Sequence, residues 1–341
     1  MRVLDYSGPE GSDRPDALPP GTAAVLGAFD GMHLGHQALV ERARARAEHV
    51  ALVTFEPRPA DVLAPDRASP RLQSPSQRER VCRDLGVELL VVLRFDRSVA
   101  ALDPATFVER FLIAGLAPAQ IVVGYDFHFG ANRAGGPKLL ADLLGPAGIP
   151  LTIVEQIQAD GEKLGSTAIR ELVGKGEVER ATELLGRYFA VEGEVRHGAA
   201  RGRQLGFPTA NVASRNMRPG GGVYACYLTL LAPGGHHEAE HWPAVANVGS
   251  NPTFADGAAT TTGLEVHALD VELGEQLYGR EVEVGFVKRL RDERKFASVD
   301  DLELAIADDV AQARELFEEL EAQGIDRLHA RPSRGDGGTP A

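Results

Sequence analysis

Short apolar runs alternate with helical patterns along the first half of the chain. Such runs are typical of buried strands, and they occupy residues 23–28, 50–55, 87–93, 120–124 and 149–155. Stretches rich in strong helix formers lie between them, at residues 34–50, 76–85, 104–114 and 137–144. Because strands and helices alternate, the pattern predicts an α/β domain with a parallel sheet and right-handed crossovers.

The second half carries short strand patterns separated by Gly and Pro, with no helical stretch long enough for a crossover. These patterns predict a small, mainly antiparallel barrel, with strands at residues 189–196, 209–212, 223–231, 242–248, 264–271 and 282–287. A closing helix is expected over residues 300–322. Its apolar residues recur at steps of three and four, at Leu302, Ile306, Val310, Ala313, Phe317 and Leu320. This stripe is expected to pack on the barrel or on the other domain.

Near Gly186 the pattern changes from alternating strands and helices to short strands separated by Gly and Pro, which predicts a domain boundary there. We expect a flexible segment over residues 1–20, a first domain over 21–186, a second over 187–325 and a disordered tail over 326–341. The chain has 341 residues, of which 43% are hydrophobic. It is therefore long enough and apolar enough for two cores.

Charge and cysteine content narrow the class of protein. The 36 Lys and Arg residues against 49 Asp and Glu give a net charge of −13, which argues against a nucleic-acid or anionic-membrane partner. Cys82 and Cys226 lie far apart and are expected to be buried, reduced thiols. The chain shows neither a signal-peptide pattern nor a stretch suited to a bilayer span. We expect a cytoplasmic protein that acts on small molecules, as a monomer or weak homo-oligomer.

The stretch GAFDGMHLGH links the first strand pattern to the first helical pattern. Gly27, Gly31 and Gly35 allow the backbone to approach a ligand closely. The helix start presents unpaired N–H groups and a positive dipole end, and His33 and His36 add two donors one helical turn apart. The stretch therefore predicts an anion site.

Two familiar phosphate motifs do not fit this chain. The stretch GAFDGMHLG is not a G-x-G-x-x-G fingerprint, and residues 161–167 resemble a P-loop only in part, because no Lys directly precedes Ser166 and Thr167. These hydroxyls at a helix start, followed by Arg170, could direct N–H groups and a guanidinium at one anion. The alternative is a helix cap with a surface Arg.

Ligand sites of parallel sheets lie beyond the carboxyl ends of strands, and the unusual segments of the first half follow strands in this way. We expect residues 27–36, 54–59, 124–135 and 165–167 to form one crevice. Its chemistry-bearing side chains are His33, His36, Asp126, Arg133, Ser166, Thr167 and Arg170. Such a set could stabilise charge on an α-phosphate that a second phosphate attacks. The His pair could also bind zinc, but a third ligand of suitable spacing is missing.

In the second half, a glycine-punctuated stretch at residues 202–211 runs into a strand pattern. Thr209 and Asn211 share one face if the chain is extended, and their oxygens suit Mg²⁺ that carries ATP phosphates. Alternatively, both side chains cap their own backbone. Glu265 is a carboxylate in an apolar strand pattern, and it is either a general base or a solvent-facing residue.

Two further clusters have structural explanations. Phe127 and Phe129, in the stretch GYDFHFG, would pack in the core of a turn unless an aromatic ligand lies there. The histidines His236, His237 and His241 are typical of a solvated hairpin end.

Taken together and in order, the motifs resemble the prokaryotic bifunctional riboflavin kinases and FMN adenylyltransferases, also called FAD synthetases. The resemblance covers residues 21–317. In the first half it is carried by GAFDGMHLGH, TFEPRP, VGYDFHFGANRAG and STAIR, and in the second by GEVRHG, GRQLGFPTAN, GGVYA, ANVGSNPTF, LEVHALD, LYGREVEV and LRDERKF. It implies a Rossmann-like nucleotidyltransferase domain that makes FAD and pyrophosphate from FMN and ATP. It also implies a six-stranded barrel that phosphorylates riboflavin to FMN, with Mg²⁺ accompanying ATP in both steps.

The resemblance also implies roles for single residues. His33 and His36 match the pair on the ATP phosphates, and Glu265 matches the base that activates the ribityl 5′-hydroxyl; these three are the expected catalytic residues. The adenylyltransferase ATP site is expected to comprise Gly27, Phe29, Asp30, Gly31, His33, His36, Asp126, Ser166, Thr167 and Arg170. In the kinase the ATP residues are Gly202, Thr209 and Asn211, the last two holding Mg²⁺. The expected flavin contacts are Pro57, Asp126, Phe127, Phe207 and Glu265.

Two residues in the adenylyltransferase half depart from the family pattern. The family usually has His where this chain has Arg58, and Ser where it has Gly165. Arginine keeps a positive donor with a different reach, and the missing hydroxyl weakens phosphate binding modestly if the amides remain. Two alternatives stay open: an enzyme with an impaired adenylyltransferase that acts mainly as a riboflavin kinase, or a flavin-binding protein without turnover.

Overall fold

The computed structural model describes residues 1–8, 18–159, 162–197, 207–232, 237–250, 262–271 and 274–325. These residues form two compact units. The first comprises Met1–Ser69 and Val81–Leu164, and the described part of the second comprises Pro70–Arg80 and residues 165–325. The second unit thus includes a segment from the first half of the sequence.

A six-stranded parallel sheet forms the centre of the first unit and confirms the predicted α/β class. Its strands are β1 (Arg2–Tyr6), β2 (Thr22–Leu26), β3 (His49–Glu56), β4 (Leu89–Arg94), β5 (Gln120–Gly124) and β6 (Leu151–Val154). The order in the sheet is β1-β4-β3-β2-β5-β6, and every neighbouring pair is parallel. The strand order therefore changes direction between the neighbouring strands β2 and β5: strands β2 to β4 follow one another toward one edge of the sheet, and β5 and β6 toward the other. A short antiparallel pair follows, β7 (Gln158–Ala159) and β8 (Glu162–Lys163).

Helices connect the strands of this sheet. They are α1 (Leu34–Arg44), α2 (Pro59–Leu63), α3 (Pro75–Asp84), α4 (Arg97–Ala100), α5 (Pro104–Phe107) and α6 (Pro137–Leu144), with 3₁₀ turns at Pro65–Arg67, Ala131–Arg133 and Gly145–Ala147. Helix α1 ends at Arg44, earlier than the predicted residue 50, because the residues from His49 onward pair with β2. Helix α5 continues directly into a π-helix at Val108–Leu116, so the helix predicted at 104–114 changes its hydrogen-bond pattern midway.

Strand β1 differs from the flexible segment expected for residues 1–20. It pairs in parallel with β4. Tyr6 is fully buried, and its ring meets the edge of Phe111 with centroids 5.6 Å apart. Hydrogen bonds from a distant strand and burial of one large ring order this segment. Residues 9–17 and the tail 326–341, also expected to lack order, lie outside the described residues.

The second unit contains the predicted barrel. Its strands are β9 (Phe189–Arg196), β10 (Ala210–Ser214), β11 (Gly222–Leu231), β12 (His237–Ser250), β13 (Thr262–Ala268) and β14 (Glu281–Arg291), with a 3₁₀ turn at Gly274–Leu277. The barrel closes in the order β10-β13-β12-β11-β14-β9, and all its pairs are antiparallel. Helices α7 (Ser166–Lys175) and α8 (Val178–Leu185) precede it. The longer stretch of this unit begins at Gly165, ahead of the boundary expected near Gly186, because α7 packs on α8 and α8 packs against β9 and β14.

The closing helix α9 (Val299–Ala322) packs on the barrel, one of the two positions that the sequence left open. Its buried residues Val310 and Phe317 belong to the same apolar cluster as Val245 of β12. Arg291 of β14 donates two hydrogen bonds of 2.8 Å, from Nε and Nη2, to the carboxylate of Asp309. Asp309 is 2% exposed. This bidentate pair fixes α9 to the end of β14.

A buried polar network joins the segment Pro70–Arg80 to the barrel. Nη2 of Arg80 lies 3.0 Å from Oε2 of Glu192 and also contacts Glu283. The Ser74 hydroxyl donates to Glu192 at 2.8 Å, and the Gln77 amide donates to Glu283 at 3.0 Å. Burial lowers the pKa of Arg80, but the two carboxylates outweigh it and raise that pKa overall. The guanidinium therefore stays charged inside the unit.

Candidate functional site

The turn between β2 and α1 lies at the point of the sheet where ligands of such folds bind. Strands β2 and β5 are neighbours. The strand that follows β2 in the chain, β3, lies next to it toward one edge of the sheet, and the strand that follows β5, β6, lies toward the other edge. A crevice forms at the carboxyl ends of such a strand pair. The turn at residues 27–33 follows β2, Asp126 follows β5, and Pro57 follows the other neighbour, β3, through a cis peptide bond. Three of the four predicted segments thus lie at the ends of adjacent strands.

Two L-residues in this turn have left-handed backbones. Phe29 has a φ of 49° and Met32 a φ of 42°, and Gly31 between them has a φ of 93°. Both side chains are fully buried. A Cβ at Gly27 would lie 2.9 Å from the Phe29 ring, so this position accepts only glycine without movement of the ring. Core packing therefore holds a strained loop at the helix start, as is common at functional sites.

His33 and His36 lie together at the start of α1. His33 is the N-cap residue, and its Nδ1 accepts a hydrogen bond of 3.3 Å from the backbone N–H of His36. The two rings stack with centroids 3.7 Å apart, and the edge of Phe29 packs on His36 at 5.1 Å. Because Nδ1 of His33 accepts, Nε2 carries the proton of the neutral ring and can donate to a ligand. The predicted pair therefore adds imidazole donors to the amides of a helix N-terminus.

Asp30 and Arg58 form a buried ion pair beside this turn. Nη1 of Arg58 lies 2.8 Å from Oδ2 of Asp30, and their side chains are 10% and 8% exposed. The same guanidinium binds both carboxylate oxygens of Asp61 and donates to the carbonyl of Ser69 at 2.7 Å. Arg58, which we singled out as a departure from the family, is thus engaged by protein groups on three sides.

The loop after β5 presents one polar residue and packs two aromatic ones. Asp126 is exposed, with Oδ1 3.3 Å from where a Cβ of Gly124 would lie. Phe129 is buried, and Phe127 is half-buried and stacks on it with centroids 5.7 Å apart. Both rings pack in the hydrophobic core of the first unit, as expected if they have a structural role. Arg133, from the predicted constellation, lies 3.2 Å from the ring of His128.

Ser166, Thr167 and Arg170 lie on α7, in the second unit. Gly165 occupies the N-cap position with an extended backbone and no side-chain cap. Arg170 donates from Nε to the carbonyl of Pro70 at 2.8 Å, also within the second unit. The participation of these residues in an ATP site stays a prediction.

In the barrel, strand register brings together the residues predicted for phosphoryl transfer. Asn211 of β10 is directly opposite Glu265 of β13, and opposed residues on antiparallel strands point to the same face. Thr209 lies two residues before Asn211 and is half-buried, as is Glu265. A hydroxyl, an amide and a carboxylate thus line one face of the barrel.

An aromatic residue and a histidine flank this face. Phe207 packs against His267 with ring centroids 5.6 Å apart, and the His267 ring lies 2.9 Å from the carbonyl of Pro208. Gly202, predicted in the ATP site of the kinase, lies outside the described residues, as does His236 of the His-rich loop. His241 is exposed and meets the ring of Tyr227 edge-on at 5.6 Å.

Sequence reasoning missed one residue on this face. Asn247 of β12 is directly opposite Glu265, on the side away from Asn211, and it is exposed. A row of amide, carboxylate and amide therefore crosses three strands. The motif ANVGSNPTF contains Asn247, but only the pairing of β12 with β13 reveals its neighbour.

The described residues offer few alternatives to this chemistry. They contain no group of three His, Cys, Asp or Glu residues placed to hold a metal. Cys82 and Cys226 are free and buried, and burial raises the pKa of the Cys226 thiol above its usual range. Cys226 is therefore not a thiolate nucleophile at neutral pH. Within the same residues, no helix combines the length and apolar content needed to cross a bilayer.

Fold and sites together define a two-unit transferase that pairs a nucleotide-binding α/β unit with a six-stranded barrel. Residues 16–168 match a family described as FAD synthetase, and residues 185–317 match one described as riboflavin kinase. The chain belongs to the bifunctional riboflavin kinase/FMN adenylyltransferase family. The expected family and fold class are confirmed.

Relatives match along nearly their whole length. The bifunctional riboflavin kinase/FMN adenylyltransferase of Escherichia coli (strain K12) is 38% identical over 302 residues, which is 87% of this chain and 93% of the relative. The Bacillus subtilis (strain 168) protein of the same name is 35% identical over 304 residues, 87% of this chain and 92% of the relative. A crystal structure described as a macrolide-efflux protein from Streptococcus pneumoniae has a TM-score of 0.78 and 30% identity, covering 92% of this chain and 99% of that one.

Proposed function

We propose that the barrel transfers the γ-phosphate of ATP to riboflavin, and that the first unit transfers AMP from a second ATP to the FMN so formed. The observation that carries the proposal is the row formed by Asn211 and Glu265 on neighbouring strands, with Thr209 two residues away. It combines a proton acceptor with hard oxygen ligands on one surface. The turn between β2 and α1 supports the second step, because it places imidazoles and helix amides at the switch point of the sheet.

In the kinase step, the carboxylate of Glu265 accepts the proton of the ribityl 5′-hydroxyl. The hydroxyl oxygen attacks the γ-phosphorus, the bond from that phosphorus to the β,γ-bridging oxygen breaks, and ADP leaves. Thr209 and Asn211 fit a divalent ion because a hydroxyl and an amide carbonyl are hard oxygen ligands. When bound with ATP, Mg²⁺ neutralises charge on the phosphates. Phe207, ahead of β10, supplies an aromatic contact for the flavin.

In the adenylylation step, a phosphate oxygen of FMN attacks the α-phosphorus of ATP, and the bond to pyrophosphate breaks. The attacking oxygen is already anionic, so this step needs no general base. His33 and His36 stabilise the charge that develops on the phosphates, together with the amides of α1. We assign Ser166, Thr167 and Arg170 of α7 a supporting part in holding the phosphates, and Asp126, Phe127 and Pro57 a part in holding nucleotide and flavin.

The direct test is to incubate the purified protein with riboflavin, ATP and Mg²⁺ and to separate the flavins by chromatography. FMN is expected to form first and FAD after it, because one product is the substrate of the other step. Removing Mg²⁺ with EDTA is expected to stop both steps, and adding excess Mg²⁺ to restore them. As a control for a transition-metal site at His33 and His36, the EDTA-treated protein receives Zn²⁺ in place of Mg²⁺, and FAD formation is expected to stay stopped.

The same incubation distinguishes the alternatives. Formation of FMN without FAD, even when FMN is supplied directly, would indicate a riboflavin kinase whose adenylyltransferase is impaired. Riboflavin that binds and remains unchanged would indicate a flavin-binding protein. Either result would refute the two-step proposal.

His36→Ala is expected to lower the rate of FAD formation from FMN and ATP by about 10²-fold. Removing one hydrogen-bond donor that stabilises developing charge has an effect of this size in other enzymes. Riboflavin phosphorylation in the same sample is expected to be unchanged, because its residues lie in the other unit. His49→Ala is the matched control, since His49 is a partly exposed histidine at the opposite end of β3, where it pairs with Glu88. Equal loss of both activities in a folded His36→Ala variant would contradict separate sites.

We further propose that the protein works in the cytoplasm as a monomer or weak homo-oligomer, with riboflavin, FMN and ATP as its partners and with no nucleic acid or membrane bound. The net charge of −13 supports this. The free, buried state of both cysteines fits a reducing compartment.

A further inference from the structure

Arg58 is held entirely by protein groups in the described structure of the first unit. Nε and Nη2 donate to the two carboxylate oxygens of Asp61 at 3.1 and 2.7 Å, Nη1 donates to Asp30 at 2.8 Å, and Nη2 also donates to the carbonyl of Ser69 at 2.7 Å. These bonds use at least four of the five N–H donors of a guanidinium. Only 10% of the side chain is exposed. Such a residue is a fixed structural link, with little freedom to reach toward a ligand.

Arg58 contacts the turn between β2 and α1 at its strained part. Asp30 directly follows Phe29 and lies two residues before Met32, the two L-residues with left-handed backbones. Such a backbone is strained and persists only where its surroundings fix it. The ion pair with Arg58 fixes Asp30, one of the two residues between them.

The same contact settles a charge conflict. Asp30 carries a negative charge in a turn that has to receive the phosphates of ATP, and like charges close together in a poorly solvated site repel strongly. Pairing with Arg58 compensates this charge and directs the carboxylate toward the guanidinium. Without this ion pair, the turn would no longer be held by Arg58, and the uncompensated charge of Asp30 would repel the phosphates.

We propose that Arg58 is a positioning residue for adenylyl transfer, which acts through Asp30 to hold the turn at residues 29–33 in the conformation that binds the ATP phosphates. This inference rests on the proposed function of that turn as the ATP site. Asp61 has the complementary part, since it orients the guanidinium from the other side. Arginine at this position therefore supports the reaction, although it departs from the family pattern.

Arg58→Met is expected to lower kcat/KM for ATP in FAD formation about 30- to 100-fold, because small displacements of phosphate-binding groups have effects of this size. The KM for FMN is expected to change less than threefold. Arg58→Lys, which keeps the charge and loses the fork, is expected to recover part of the loss. Asp61→Asn is expected to show a smaller loss of about fivefold. Riboflavin phosphorylation is measured in each sample as the control for a folded second unit and is expected to stay unchanged.

A double-mutant cycle separates positioning through Asp30 from direct contact with substrate. If Arg58 acts through Asp30, then Arg58→Met in an Asp30→Asn background lowers kcat/KM for ATP less than threefold further. Losses that multiply in the double variant would overturn the proposal, because Arg58 would then act independently of Asp30. A response in the KM for FMN instead of ATP would overturn it too, and so would a parallel loss of riboflavin phosphorylation. A wild-type protein that makes no FAD would instead refute the proposed function of the turn.

Discussion

Glu265→Gln is expected to reduce riboflavin phosphorylation about 10³-fold, while FMN is still converted to FAD at the wild-type rate. Glutamine has the shape of glutamate but cannot accept the hydroxyl proton, and a positioned base contributes on the order of 10²- to 10⁴-fold. The register that places Glu265 opposite both Asn211 and Asn247 is expected to be retained in such a variant, because glutamine has nearly the same size. The measurement is the initial rate of FMN formation from riboflavin beside the rate of FAD formation from added FMN.

Glu194→Gln provides the matched control for this prediction. Glu194 is a carboxylate on another strand of the same barrel, β9, and its side chain is 40% exposed beside Arg196. Its substitution is expected to leave both activities within about twofold of wild type. A Glu265→Gln variant that retains more than a tenth of the kinase rate would show that the carboxylate is not the proton acceptor.

Arg80→Met is expected to destabilise the second unit by about 3–5 kcal/mol, the cost of removing one partner from a buried ion pair. Glu192 is 2% exposed, and its carboxylate and that of Glu283 both contact the same nitrogen of Arg80. Without the guanidinium, the buried carboxylate of Glu192 and the partly buried carboxylate of Glu283 would stay close together, and Arg215, 3.5 Å from Glu192, would compensate only part of their charge. Urea unfolding followed by tryptophan fluorescence measures this effect in the second unit, because the chain has one tryptophan, Trp242 of β12.

Two further variants identify the cause of this loss. Adding Glu192→Gln and Glu283→Gln to Arg80→Met is expected to recover at least half of the free energy of unfolding, because the buried negative charges are removed. Arg314→Met, which removes an exposed ion pair of α9 with Asp270, is expected to cost less than about 1 kcal/mol. If the Gln substitutions recover nothing, lost packing and not unpaired charge explains the destabilisation.

Local patterns were sufficient for most of the fold. Alternation of strands and helices predicts the parallel sheet, and the Gly and Pro punctuation after Gly186 predicts the barrel, because both signals depend on near neighbours in the chain. Strand β1 was missed since its five residues are followed by a stretch rich in Pro and Gly, and the strand it pairs with, β4, is distant in sequence. The π-helix after α5 was missed because hydropathy alone does not distinguish helix types.

The candidate sites divide in the same way. The turn with His33 and His36 is continuous in sequence, so its place at a strand end could be predicted. The position of Asn247 opposite Glu265 depends on strand register, and the pairing of Arg58 with Asp30 joins two different strand ends. A sequence shows that Arg58 is unusual for its family. It does not show which carboxylates hold it.

The path of the chain between the two units has a consequence for recombination of such enzymes. The segment Pro70–Arg80 lies within the second unit although the sequence on both sides of it belongs to the first. A single crossover near residue 165 would join the barrel of one ancestor to the Arg80 segment of another. Exchange of a kinase module between homologues therefore requires two compatible inserts, and Arg80 and Glu192 are expected to be inherited as a pair.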